Sequence, residues 1–265
     1  MRSHRSVATG LVVLGLLACP KRIPLPERLK VSGTVELLQR IARARAAVDA
    51  FSAEIRLTYF GPKGRRFKGT ASLAVLRPKS LRYELQGPHG GVLEAFATNG
   101  AELQLFDLEN NRFYHGPATP RNFNQLMALV PLGLNGEEWV ALLFGEVCIP
   151  NHALLAYDDR VGRFIFTWED QGLARRVEVD AETSRVTRAT VHRRDAVGSE
   201  INVSEINIRE RDERGLPVVL ELKGGPGDLS VRVRLRDVSY DVEHEPDVFV
   251  LDPPAQVTPE YLGED

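Results

Sequence analysis

Cysteine and histidine are the side chains best suited to act as nucleophile, general base or metal ligand, and the chain has two cysteines and six histidines. Cys148 lies between Val147 and Ile149-Pro150, so burial as a small hydrophobe is its expected state rather than nucleophilic duty. His89, His115, His152, His192 and His244 are scattered singly, with no paired histidines and no Cys-x-x-Cys. A metal site needs convergent ligands, so none is expected, and no cofactor motif is present. No Gly-x-Ser-x-Gly elbow occurs. The glycine-rich stretches 61–64, 87–91 and 224–227 read as hairpin turns, because a phosphate loop would need a following helix. The chain is therefore expected not to be an enzyme. A hydrolase built from residues on different strands stays open as an alternative.

Cys19 is a different case. Arg2 and Arg5 precede an apolar run from Val7 to Ala18, and Cys19-Pro20 follows. A basic start, about a dozen apolar residues and a small residue before the break make a secretory signal, too short to span a bilayer. Leu16-Leu17-Ala18-Cys19 resembles the bacterial lipobox, in which the thiol is diacylated and the chain is cut just before it. Residues 1–18 then form a lipoprotein signal peptide, and Cys19 becomes a lipid-bearing N-terminus. Several acyl chains give a stable anchor where one is marginal. Lipoproteins retained at the inner membrane commonly carry Asp after the cysteine; Pro20 stands here, which points to the outer membrane, facing the periplasm.

With 34 Lys+Arg against 36 Asp+Glu, the charge balance lacks the basic excess that nucleic-acid binding needs. Removing residues 1–18 takes Arg2 and Arg5 and no acid, leaving 32 basic and 36 acidic side chains. The lipid, not charge, would then hold the protein to a membrane. At 43% hydrophobic residues in 265, the chain has ample material for one large core.

These residues must be positioned by a strand-rich domain. Residues 19–33, with Pro20, Pro24 and Pro26, read as an extended lipidated tether. From Thr34, Leu37, Leu38, Ile41, Ala44, Val48 and Phe51 recur at helical spacing, predicting an amphipathic helix of about four turns capped by Ser32 or Thr34. The period then drops to two, and short turns separate a first run of strands up to residue 115. Thr119-Pro120 opens one helix. Asn135 opens another, with Trp139, Leu142 and Leu143 facing inward. Strands resume from about 152 to 240, closing on Leu229-Val231-Val233-Leu235 alternating with Arg232, Arg234 and Arg236. Helices interrupt the strands rather than alternating with them, so the fold class is α+β, an antiparallel meander of eleven to thirteen strands with three helices. Lys63, Arg65, Arg66 and Lys68 surround the first hairpin turn. They read either as solvated edge protection or as a patch for anionic lipid headgroups.

Three segments carry a family resemblance. Arg82-Tyr83-Glu84-Leu85-Gln86-Gly87-Pro88-His89-Gly90 is similar to a strand and protruding Pro-Leu-Gly loop. Leu129-Val130-Pro131-Leu132-Gly133-Leu134, running into Trp139–Gly145, is similar to a Pro-x-x-Leu connection and a helix ending in Leu-Gly. Phe249-Val250-Leu251-Asp252-Pro253 is similar to a Phe-x-Leu-x-Pro ending. In this order they resemble the LolA/LolB superfamily of periplasmic lipoprotein carriers and their outer-membrane receptor, over residues 34–253, with 254–265 as a C-terminal tail. The resemblance implies a strongly curved antiparallel sheet of about eleven strands, an unclosed half-barrel plugged by about three helices. It further implies an apolar interior for acyl chains of lipoproteins or another lipid, and a periplasmic carrier protein as partner. In the protruding loop, Pro88, His89 and Gly90, an imidazole stands where the receptors carry an apolar residue. An imidazole inserts poorly into hydrocarbon.

Wide apolar strand faces under only three helices leave either a concave apolar space or a completely packed sandwich. If the space exists, its expected lining is Phe67, Leu73, Val75, Leu81, Tyr83, Leu85, Leu103 and Leu105, with Phe164, Phe166 and Trp168, and Trp139 from the plug helix. The expected function is a membrane-anchored lipoprotein that binds acyl chains and passes lipoproteins to the outer membrane. The alternative is a non-transferring module of the same fold that binds a protein partner.

Overall fold

Strand β1 (Ala50–Phe60) shows how the sequence sets the architecture: Phe51, Ala53 and Ile55 are buried while Ser52, Glu54 and Arg56 point the other way. The computed structural model describes residues 22–61, 66–87, 89–126, 134–170, 172–194, 200–224 and 229–263. After helix α1 (Thr34–Ala44), β1 is followed by β2 (Arg66–Leu76), β3 (Ser80–Gln86), β4 (Val92–Thr98), β5 (Glu102–Asp107) and β6 (Arg112–Pro117). Helices α2 (Pro120–Leu126) and α3 (Gly136–Leu143) come next. The second run comprises β7 (Leu154–Asp158), β8 (Arg163–Asp170), β9 (Leu173–Asp180), β10 (Val186–Arg194), β11 (Glu200–Arg211), β12 (Pro217–Lys223) and β13 (Ser230–Tyr240). A short β14 (Pro259–Tyr261) closes the chain's order.

All fourteen strands form one unclosed curved sheet, in the order β14-β6-β5-β4-β3-β2-β1-β13-β12-β11-β10-β9-β8-β7. The count exceeds the expected eleven. Each run is a meander, and antiparallel pairing of β1 with β13 joins the two, for example Leu57 opposite Val233. The added edge strand comes from the expected tail. It runs parallel to β6, and the Leu262 N–H donates to the His115 carbonyl. A side chain at Gly116 would bring its Cβ within 2.5 Å of the Leu262 carbonyl oxygen, so only glycine admits this approach.

Helix α1 ends at Ala44, a turn and a half before the predicted end. Ala46, Val48 and Ala50 are buried in an alternating pattern that already belongs to the approach to β1. Ala44 and Val48, four residues apart, fit both periods, and the extended conformation of Arg45 selects the shorter one. Gly33 occupies the N-cap. Ser32 instead donates its N–H and hydroxyl to Glu36, while the Thr34 hydroxyl donates to the Ala153 carbonyl.

The described part of the expected tether lies against the domain. The Ile23 N–H donates to the Asp159 carbonyl, Arg28 pairs with Glu182, and Leu25, Leu29 and Val31 pack on the core. Helix α3 carries a full capping box: the Glu138 N–H donates to the Asn135 side chain at 2.9 Å, and Glu138 accepts the Asn135 N–H at 3.0 Å. Asn135→Ala is expected to cost about 1 kcal/mol, read from thermal or urea unfolding.

Candidate functional site: an apolar cavity on the concave face

The register of the first meander stacks its inward side chains in rows. Phe51, Val75, Leu81, Thr98 and Leu103 make one row, and Ala53, Leu73, Tyr83, Phe96 and Leu105 the next. Helices pack on part of each row. Phe144 meets Phe51 edge to face at 5.2 Å, and Phe123 of α2 packs on Phe96 at 5.7 Å. Farther along the strands the cover thins. Leu57 lies between Val233 and Gly69, and Tyr59 between Val231 and Phe67. The Phe67 ring and the Leu85 side chain fold over Gly69, and both border an open volume.

This cavity has a volume of about 330 Å³. Ile55, Leu57 and Tyr59 of β1, Phe67 and Leu73 of β2, and Leu81, Tyr83 and Leu85 of β3 form its floor. Leu126 of α2 with Trp139 and Leu143 of α3 cover it, and Leu222, Val231 and Val233 of β12 and β13 close one side. Glu94 of β4 stands at the other. Depth follows exposure: Leu81 and Leu73 are 2% and 5% exposed, whereas Phe67 is 43% exposed and marks the mouth. The volume lies within the range of small-molecule pockets and is about twice that of a benzene-sized void of ~150 Å³. Both the size and the apolar lining suit a stretch of alkyl chain.

Six of the twelve predicted lining residues therefore meet at this cavity: Phe67, Leu73, Leu81, Tyr83, Leu85 and Trp139. Val75, Leu103 and Leu105 do not line it; they are buried in the packed core. The same contrast splits each row, since Leu81, Leu73 and Tyr83 do line it. Phe164 and Phe166 belong to β8 in the second meander, where they are equally buried in the core. Trp168 borders a separate void of about 30 Å³ beside Arg175 and Cys148. The lining from β12, β13 and the outer half of β1 was not singled out in sequence, although its alternation is plain. Only the β1–β13 pairing brings those faces to the site.

Cys19 and Pro88 lie outside the described residues, as do Lys63 and Arg65. His89 and Gly90 are exposed in the β3–β4 turn. Arg66 and Lys68 are exposed beside the mouth, with the Arg66 guanidinium 5.1 Å from the Phe60 ring. Cys148, expected in the core, is exposed after α3. Partial desolvation of its sulfur and the nearby Glu138, Glu137 and Glu146 raise its thiol pKa, which disfavours the thiolate. Among the described residues no three His, Cys, Asp or Glu side chains converge as metal ligands.

One polar pair interrupts the apolar lining. The Tyr83 hydroxyl donates to Glu94 Oε1 at 2.5 Å. Burial, reinforced by Asp107, raises the Glu94 carboxyl above its usual range even though the Tyr83 bond opposes the shift. Burial and then Glu94 raise Tyr83 in turn, so its hydroxyl stays protonated. A carboxyl whose folded pKa is raised stabilises the fold most when protonated, and that stability is lost as pH rises through the unfolded and then the folded value. Melting temperatures should therefore favour Glu94→Gln over the parent increasingly from pH 4 to pH 7. A gap that is constant or shrinks with pH would contradict the desolvated carboxyl.

No family model matches the sequence, and no curated protein matches it. Solved structures do resemble the fold. A LolA superfamily protein from Nitrosomonas europaea is 14% identical, with a TM-score of 0.51 over 83% of this chain and 99% of that one. A putative outer membrane lipoprotein-sorting protein domain from Vibrio parahaemolyticus is 12% identical, with a TM-score of 0.55 over 82% and 95%. A DUF1329 family protein from Desulfovibrio piger is 9% identical, with a TM-score of 0.57 over the same shares. The chain thus has a LolA/LolB-like fold.

Proposed function

We propose that the protein is a bacterial cell-envelope lipoprotein, anchored through Cys19 at the periplasmic face of the outer membrane. It holds an acyl chain of a lipoprotein or another amphiphile in the concave cavity, without catalysing a reaction. The observation that carries this reading is the open apolar cavity of about 330 Å³ between sheet and helices. Each methylene moved from water into such a space contributes about 0.8 kcal/mol, so micromolar retention, about 8 kcal/mol, calls for an alkyl chain of at least about ten carbons. The similarity to a lipoprotein-sorting domain supports the same ligand class, with a periplasmic carrier as the source of cargo. His89 at an exposed turn favours holding cargo over driving it into hydrocarbon.

A module that binds only a protein partner would need no interior space, and the cavity favours the lipid reading over it. All fourteen strands and three helices lie within residues 22–263, so a soluble form of residues 20–265 should keep the fold. Native mass spectrometry of that form, expressed with secretion, is expected to show bound lipid that exchanges with added amphiphile. Reproducible absence of both bound and exchangeable lipid would remove the proposal.

A further inference from the structure

Alkyl walls accept any chain, so selection between amphiphiles must come from the polar groups that meet the cavity. Besides the Tyr59 hydroxyl on β1 and the Trp139 indole N–H on α3, the described lining has one polar pair, and it stands at one end. The lining crosses six neighbouring strands, from Glu94 on β4 to Leu222 on β12, five strand spacings of about 4.8 Å each along the curved floor. The β12–β13 end is wholly aliphatic, with Leu222, Val231 and Val233. The β4 end holds the Tyr83–Glu94 pair.

The pair is built rather than incidental. Tyr83 is fixed by stacking on Phe96 at 5.5 Å, with 16° between the rings. Its hydroxyl occupies Glu94 Oε1. Glu94 forms no ion pair with a described residue, and among the described residues no Lys or Arg lines the cavity. Its Oε2 accepts no hydrogen bond from a described residue, so one acceptor of a positioned carboxylate is left at the cavity end. An acceptor without counter-ion in an apolar enclosure favours a donor and disfavours a second anion.

We infer that Glu94, held by Tyr83, receives the polar end of the bound amphiphile and selects ligands that present an N–H or O–H donor there, an amine, amide or hydroxyl, over free fatty carboxylates, with the alkyl tail directed toward β12 and β13. This rests on the lipid-binding reading above and adds ligand class and orientation to it. The geometry uses nothing beyond the cavity and the one hydrogen-bonded pair.

The test is competitive displacement of the fluorescent probe N-phenyl-1-naphthylamine from residues 20–265 by dodecylamine, dodecanol and dodecanoate, each below its micelle concentration. The parent is expected to rank amine first and dodecanoate last, with at least about a tenfold span. In Glu94→Gln the span should fall below about threefold, chiefly through tighter dodecanoate. Tyr83→Phe, which leaves the carboxylate in place, should keep the parent's order; a span below about threefold in it would assign the selection to the hydroxyl and overturn the inference. Equal ranking in the parent, dodecanoate first, or a span unchanged in Glu94→Gln overturns this inference while leaving lipid binding intact. Failure of the probe and all three ligands to bind overturns lipid binding itself.

Discussion

Leu57→Trp is expected to weaken binding of a twelve-carbon ligand about fiftyfold while the protein stays folded. Leu57 lines the cavity floor between Val233 and Gly69, and an indole in its place would extend into the open volume. If the ring displaces three methylenes of the ligand, the loss is about 2.4 kcal/mol at about 0.8 kcal/mol each, and each 1.4 kcal/mol is about tenfold in affinity. Because the space is open rather than packed, the larger side chain should cost less than the ~1–3 kcal/mol of overpacking a filled core. Val233→Trp approaches the same volume from β13 and should act alike. The same change at Phe166, buried in the second meander, should destabilise the protein without a selective effect on binding. Undiminished affinity in both cavity variants would mean the ligand lies elsewhere.

Arg77→Ala is expected to lower stability by about 3 kcal/mol. The Arg77 side chain is 12% exposed and reaches three elements. Two guanidinium nitrogens donate to Glu146 at 2.9 and 2.6 Å, Nε donates to the Val48 carbonyl, and the group sits 3.8 Å from the centre of the Phe144 ring. Truncation removes both hydrogen bonds from the Glu146 carboxylate, itself 21% exposed, and leaves it, among the described residues, only the longer Arg45 contact at 3.6 Å. Arg77→Ala with Glu146→Gln should recover part of the loss in urea unfolding, because the poorly paired charge is then gone. No recovery would show that the guanidinium acts through packing on Phe144 and its carbonyl bond alone.

Much of this is readable in sequence, and the residues show where reading stops. Alternation in β1, β2, β3 and β13, and the Asn135 capping box with Glu138, are local signals, so those elements follow from two- and four-residue patterns. Strand β14 is three residues long and carries no such pattern, which is why the sheet gained it only in three dimensions. The cavity lining divides for a similar reason. Leu73 and Leu103 have equal claims by alternation, yet Leu103 is buried in the packed core and Leu73 borders the open volume. Coverage by distant elements is a non-local fact. Ile55, Leu57, Val231 and Val233 were legible as apolar faces but not as site, because their meeting depends on pairing strands some 180 residues apart in the chain. Cys148 misled because apolar neighbours in a loop after a helix do not require burial.

The central claim is that an alkyl chain lies in the concave cavity, and photo-crosslinking locates it directly. An amphiphile carrying a diazirine on its alkyl chain, irradiated with the soluble form and mapped by peptide mass spectrometry, should label lining residues of β1, β2, β13 and α3, such as Leu57, Phe67, Val233 and Leu143, and unlabelled competitor should suppress that labelling. Adducts confined to β7–β10, or labelling that a competitor leaves unchanged, would contradict it.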